Sequence, residues 1–136
     1  MGNKLFLEAN RVMKAKNPND VGHVHVSYLP VPQNLGEMKS KPVQMSVKML
    51  NESGINPDFI VARSEQKVDE IRKDKLSHYC VVPFEHVISA PDVESIYEVP
   101  LNFEKDLLAE KLIKQLNLKS KKTDMYKRWK ERYEAS

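Results

Sequence analysis

The chain has 136 residues, 22 Lys/Arg against 19 Asp/Glu for a net charge of +3, and 40% apolar residues, enough for the core of one domain. The single cysteine, Cys80, excludes an internal disulfide framework and a cysteine-rich zinc site. No run of eighteen apolar residues occurs and the first residues carry charges where a signal peptide needs an apolar stretch, so a soluble, cytoplasmic protein with no membrane partner is expected.

In chain order, Leu5, Phe6, Ala9, Val12 and Met13 follow helical spacing and predict a first helix over Lys4 to Ala15. "GHVHVSYLPVP" alternates β-branched residues with His23, His25 and Ser27 until Pro30 and Pro32 end it, which predicts a strand and then a loop. "VPQNLGEMKSK" reads as a connector. "PVQMSVKMLNESG" places Val43, Val47 and Leu50 on one helical face, with Pro42 suited to a first turn and Gly54 to a C-terminal cap. After a turn at Asn56-Pro57-Asp58, the apolar run Phe59 to Ala62 predicts a strand buried on both faces.

"EQKVDEIRKDKLSHY" returns to helix, "HVIS" is a further short strand, and "APDVESIYEVP" is a loop with a short helix. "NFEKDLLAEKLIKQLNL" is expected to be one continuous helix with Leu108, Leu112 and Leu116 on its apolar stripe. "DMYKRWKERYEAS" closes the chain as a last helix. Strands alternating with helices predict an α/β fold built on a parallel sheet.

Lys119 to Ser136 holds seven Lys/Arg and three Asp/Glu, so the rest of the chain is close to neutral. Such a tail, with Tyr126, Trp129 and Tyr133, could touch nucleic acid, but no basic stripe on the body extends it. A solvated helical face is the simpler expectation. His23 and His25 share one face of a strand and could ligate a metal. No third ligand stands at useful spacing, so hydrogen-bonded or buried histidines are favoured and no metal site is assigned. Cys80 beside Val81 and Val82 reads as a small core hydrophobe rather than a nucleophile.

In an open parallel sheet, ligands gather beyond the carboxyl ends of the strands. The loop "EMKSKPVQ" sets Lys39 and Lys41 beside the free N–H groups of a helix start, an arrangement suited to an anion such as a phosphorylated ligand. On local pattern alone, two ordinary exposed lysines explain it as well or better. Neither G-x-G-x-x-G nor G-x-x-x-x-G-K-[ST] is present, which argues against a self-sufficient nucleotide-hydrolysing enzyme.

"GEMKSKPVQMSVKML" resembles the G-E-x-K-T-K-P-T-Q-x-S-V-x-x-L signature of the CTP synthase family. "HVSYLPVP", "GINPDFIVARS", "KLSHYCVV", "VISAPDVESIYEVP" and "LLAEKLIKQLNL" follow in the family's order and spacing, and "FLEANRVMK" resembles the family's F-L-E-A-I-R-Q helix. Nearly the whole chain is covered. The resemblance implies a Rossmann-like parallel sheet with flanking helices, part of the P-loop NTPase-type synthetase domain. Residues 1–118 would be the later portion of that domain and 119–136 a basic helical tail or the start of an interdomain linker.

The family's reaction aminates UTP to CTP with ATP as phosphoryl donor and ammonia from a glutaminase domain. The resemblance assigns Lys39, Ser40, Lys41, Pro42, Val43, Gln44 and Lys75 to the UTP/CTP site, and Arg63, Pro91, Asp92 and Val93 to the ATP site. The family's phosphate loop and magnesium carboxylates would lie upstream and its glutaminase domain downstream. No catalytic residue is therefore assigned here, magnesium is expected only with the upstream half, and the chain is expected to be inactive alone. Expected partners are the nucleotides and either a second copy or a complementary synthetase fragment, with a nucleotide-binding or assembly module as the alternative. Val43 stands where the family has Thr and Met45 where a polar residue is common, which suggests weaker nucleotide binding.

Overall fold

A computed structural model describes residues 4–32, 38–121 and 123–136. Its order is α1 (Lys4–Lys16), β1 (Val24–Tyr28), α2 (Lys41–Glu52), β2 (Phe59–Ser64), α3 (Glu70–Cys80), β3 (Val87–Pro91), α4 (Val99–Lys105), α5 (Leu108–Gln115) and α6 (Met125–Ala135), with single 3₁₀ turns at Phe84–His86 and Ile96–Glu98. The three strands form a parallel sheet in the order β1-β2-β3. The fold is α/β on a parallel sheet, as the alternation of patterns predicts, and Rossmann-like, as the family resemblance implies. The expected connector falls partly on residues 33–37, outside the described residues.

The pleat of β2 divides the core in two. Ile60 and Ala62 join Leu29, Val43, Val47, Leu76 and Val87 on the face covered by α2 and α3. Phe59 and Val61 join Ile88 on the opposite face, where Phe103, Leu108 and Leu112 pack from α4 and α5. Cys80 is buried in the first of these clusters, and burial pushes its thiol up to about 11, as befits a core residue and not a nucleophile. Gly54, at φ +83°, turns the chain after α2. This left-handed backbone is what calls for glycine; a Cβ there would meet only the flexible Arg11 side chain, at 2.6 Å from Cδ, which can move aside.

Two elements depart from expectation. The third helix starts at Glu70, because the Asp69 side chain accepts the Arg72 backbone N–H at 2.8 Å and caps it, leaving 65–68 as loop. The expected continuous helix over 102–118 is broken into α4 and α5. The Asp106 carboxylate accepts Ser89 N–H at 2.7 Å and Lys73 Nζ at 3.0 Å, and Leu107 turns to φ 55° beside it. Long-range bonds to β3 and α3 thus outweigh local periodicity.

At the other end of the sheet, Asp58 gathers the chain. Its Oδ2 accepts His23 N–H at 2.7 Å and Lys14 Nζ at 2.6 Å, and its Oδ1 accepts Gln115 Nε2 at 3.0 Å. Asp58→Ala removes three bonds to a partly buried carboxylate. It is expected to lower unfolding free energy by about 2–4 kcal/mol, read as a lower midpoint in urea; an unchanged midpoint would refute the role.

His23 and His25 sit on the α1/α2 side of β1 without a third ligand; among the described residues no group of three metal-ligating side chains occurs. The Asn10 amide donates to His23 Nδ1 at 2.7 Å, and His25 Nε2 shares a hydrogen bond with Ser46 Oγ. Burial lowers the pKa of His23, aided by Lys14 and opposed by Asp58, and burial lowers that of His25, aided by His23. Both are therefore held neutral in the fold and protonate more readily when unfolded. Their contribution is complete above the ordinary value of 6.5 and is lost as pH falls from there toward the depressed folded-state values. The urea midpoint is expected to drop between pH 7 and pH 5 more steeply for the native chain than for a His23→Gln, His25→Gln variant. Parallel profiles would show that these rings do not drive the loss.

Candidate functional sites at the carboxyl ends of the strands

The carboxyl ends of β1, β2 and β3 lie level, since Tyr28 pairs with Arg63 and Ser64 with Pro91. Buried Ser64 donates its hydroxyl to Leu29 O at 2.8 Å, and Leu29 N–H donates to Arg63 O at 2.6 Å, which ties the exit of β1 to β2. Lys39 N–H donates to Pro30 O at 2.8 Å, so the chain returning toward α2 is fixed at its backbone just before the helix.

On this rim a cleft of about 450 Å³ is lined by Met38, Lys39, Ser40, Lys41, Gln44, Lys75 and Tyr79. Five of the seven residues expected at the pyrimidine nucleotide site meet here, from the start of α2 and the middle of α3. Ser40 precedes α2 without a side-chain cap, and Pro42 occupies its first turn. The buried Ser40 hydroxyl accepts Gln44 Nε2 at 3.0 Å, which holds the Gln44 amide at the mouth of the cleft. Three ammonium groups and the uncapped N–H groups of α2 give the cleft a strongly positive character.

Two expected residues are not among the lining. Val43 is fully buried against the sheet, so a hydroxyl there would face the core, and its loss bears on packing rather than on the cleft. Pro42 is exposed on the helix start and lies outside the cleft lining. Tyr79 and Met38 were missed. The four-residue spacing from Lys75 to Tyr79 would have found the former, because it sets both on one face of α3.

The opposite face of the sheet opens into a larger cavity of about 730 Å³. Arg63, Pro91, Asp92 and Val93, all four residues expected at the ATP site, line it with Val24, Val26, Ile96 and Phe103 among others. Arg63 Nη2 donates to Asp92 Oδ1 at 3.3 Å across the exits of β2 and β3, and Asp92 N–H donates to Ser64 O at 2.8 Å. The walls are mainly apolar with one charged pair at the rim, a surface suited to a flat ring bearing polar edges. Among the described residues no helix is long and apolar enough to cross a membrane.

A family model for the N-terminus of CTP synthase matches residues 1–118. Among curated proteins, CTP synthase from Prochlorococcus marinus is 46% identical over 127 residues, covering 93% of this chain and 24% of that protein. CTP synthase from Thermococcus gammatolerans is 48% identical over 130 residues, covering 95% and 24%. That from Pyrococcus furiosus is 48% identical over 121 residues, covering 88% and 22%. The chain therefore spans about a quarter of the length of the curated relatives it matches. With a family model matching most of its length and this extent of identity, the chain belongs to the CTP synthase N-terminal family.

Proposed function

We propose that this chain supplies the pyrimidine-nucleotide cleft and one wall of the ATP cavity for the ATP-dependent amination of UTP to CTP. The observation that carries the reading is the convergence of Lys39, Lys41 and Lys75 from two separate segments on one cleft at the sheet's carboxyl rim. Lys39, Lys41 and the first turn of α2 would pair with the triphosphate, where ammonium and dipole act on the same anion. Gln44, held by Ser40, would present its amide to the nucleotide, and Tyr79 offers a ring edge or face beside it. On the other side of the sheet, Arg63 and the Pro91-Asp92-Val93 turn would border the adenine.

In this reading the phosphoryl transfer itself depends on metal and phosphate positioning by other parts of the enzyme, and the residues here bind and orient. A supporting feature of the alternative, an assembly module, is the edge strand β1. It pairs with β2 alone in the three-stranded sheet, so its outer backbone edge has no strand partner among the described residues, and a complementary synthetase segment or a second copy would pair there. Residues 1–118 would then be one portion of a synthetase domain and residues 119–136 a tail leading from it.

Calorimetric titration of UTP and CTP into the purified chain at low salt is expected to give binding that a Lys39→Ala, Lys41→Ala variant weakens about a hundredfold. Binding indifferent to both lysines would overturn the cleft assignment. Heat seen only after an upstream synthetase segment is added would favour the assembly reading. In a coupled assay with UTP, ATP, magnesium and ammonia, the isolated chain is expected to form no CTP. Turnover by the chain alone would contradict the division of labour proposed here.

A further inference from the structure

The last helix, α6, lies beyond the residues the family model matches, and none of its residues is buried. Eleven residues with a polar surface are too few for a stable helix in water, so its placement depends on specific contacts. Two side chains one turn apart make them. Trp129 Nε1 donates to Tyr97 O at 2.7 Å, and Tyr133 Oη donates to Glu98 Oε2 at 3.0 Å. The Tyr97 and Trp129 rings add a tilted contact with centroids 6.0 Å apart. Both bonds fall on consecutive residues of the Ile96–Glu98 turn.

That turn lies within the cavity wall. Asp92, Val93 and Ile96 precede or belong to it, Val99, Asn102 and Phe103 follow it in α4, and all six line the 730 Å³ cavity. Its own internal support is slight: Ser95 Oγ accepts Tyr97 N–H at a long 3.3 Å, and Glu98 N–H donates to Ser95 O at 3.0 Å. Ile96 and Tyr97 are largely exposed, so little core packing restrains them.

We propose that α6 is a strap, in which Trp129 and Tyr133 act as positioning residues that hold the Ile96–Glu98 turn and so set the wall of the adenine-side cavity. The ligand class, an adenine nucleotide, rests on the reading given under Proposed function; the strap itself rests on the contacts above. A Trp129→Phe, Tyr133→Phe variant keeps an aromatic ring at each position, smaller at 129, and removes both hydrogen bonds, and Trp129→Ala removes the ring as well. Amide hydrogen exchange, ATP and UTP titration and the urea midpoint are then compared with the native chain.

The expected result is exchange faster by about tenfold over residues 93–103 with β2 unchanged, and ATP binding weakened about fivefold with UTP binding unaltered. The double Phe variant should show this at an unchanged urea midpoint, which separates positioning from general destabilisation. Unchanged exchange at 93–103 overturns the strap, as does ATP affinity that is insensitive to its loss. If the native chain binds no ATP while exchange still rises in the variants, the strap stands and the adenine reading of the cavity is what fails.

Discussion

The carboxylate of Asp58 is the constraint on which the rest of the arrangement depends. It receives the N–H of His23 just before β1, the ammonium of Lys14 from α1 and the amide of Gln115 from α5, while its own backbone N–H donates to His23 O at 2.9 Å. Its carbonyl is the partner of His86 Nδ1 at 2.8 Å, just before β3. One residue therefore aligns the starting ends of all three strands. In a parallel sheet of short strands, alignment at one end fixes alignment at the other, so the rim that carries both clefts is set some five residues away from this hub.

Register also decides which cleft each residue serves. Along β2, Phe59, Val61 and Arg63 share the face on which Val61 and Arg63 line the larger cavity, whereas Ile60 and Ala62 face α2 and α3. A slip of one residue would turn Arg63 into the core and expose Ile60. Ser64 opposes that slip, because its buried hydroxyl donates to Leu29 O, a bond the slip would break. The larger cavity thus takes Val61 and Arg63 from one face of β2, while the lysine cleft is lined from the start of α2 and from α3, the helices that cover the other face.

Legibility in the sequence followed the range of the interactions. The Val43, Val47, Leu50 stripe and the apolar run from Phe59 to Ala62 describe their own burial, and both are where the pattern places them. The break at Asp106 and Leu107 was hidden, since no Gly or Pro marks it and the stripe of Leu108, Leu112 and Leu116 begins directly after it, while the cause lies in Ser89 and Lys73. At the cleft, reading the motif as one contiguous run put Val43 in the site. A helix shows only some of its faces to a cleft, so phase sends Val43 inward and Gln44 to the lining. The same consideration of phase brings Tyr79 in beside Lys75, although no motif marks it.

The charge pattern at α2 runs against helix stability. Favourable helix starts carry an acidic residue or a capping side chain, each acting on the positive end of the dipole; α2 has neither, and Lys39 and Lys41 add positive charge at that end. Each such placement costs about 0.3–1 kcal/mol by itself, and Lys75 brings a third cation to the same cleft. The core beneath, with Val43, Val47 and Leu50 packed against the sheet, supplies the stability that tolerates it. A polyanion in the cleft reverses the sign of all these terms at once. The core tolerates the local conflict in α2 and a bound polyanion would relieve it, which is the physical ground for the proposal that this helix start is a site.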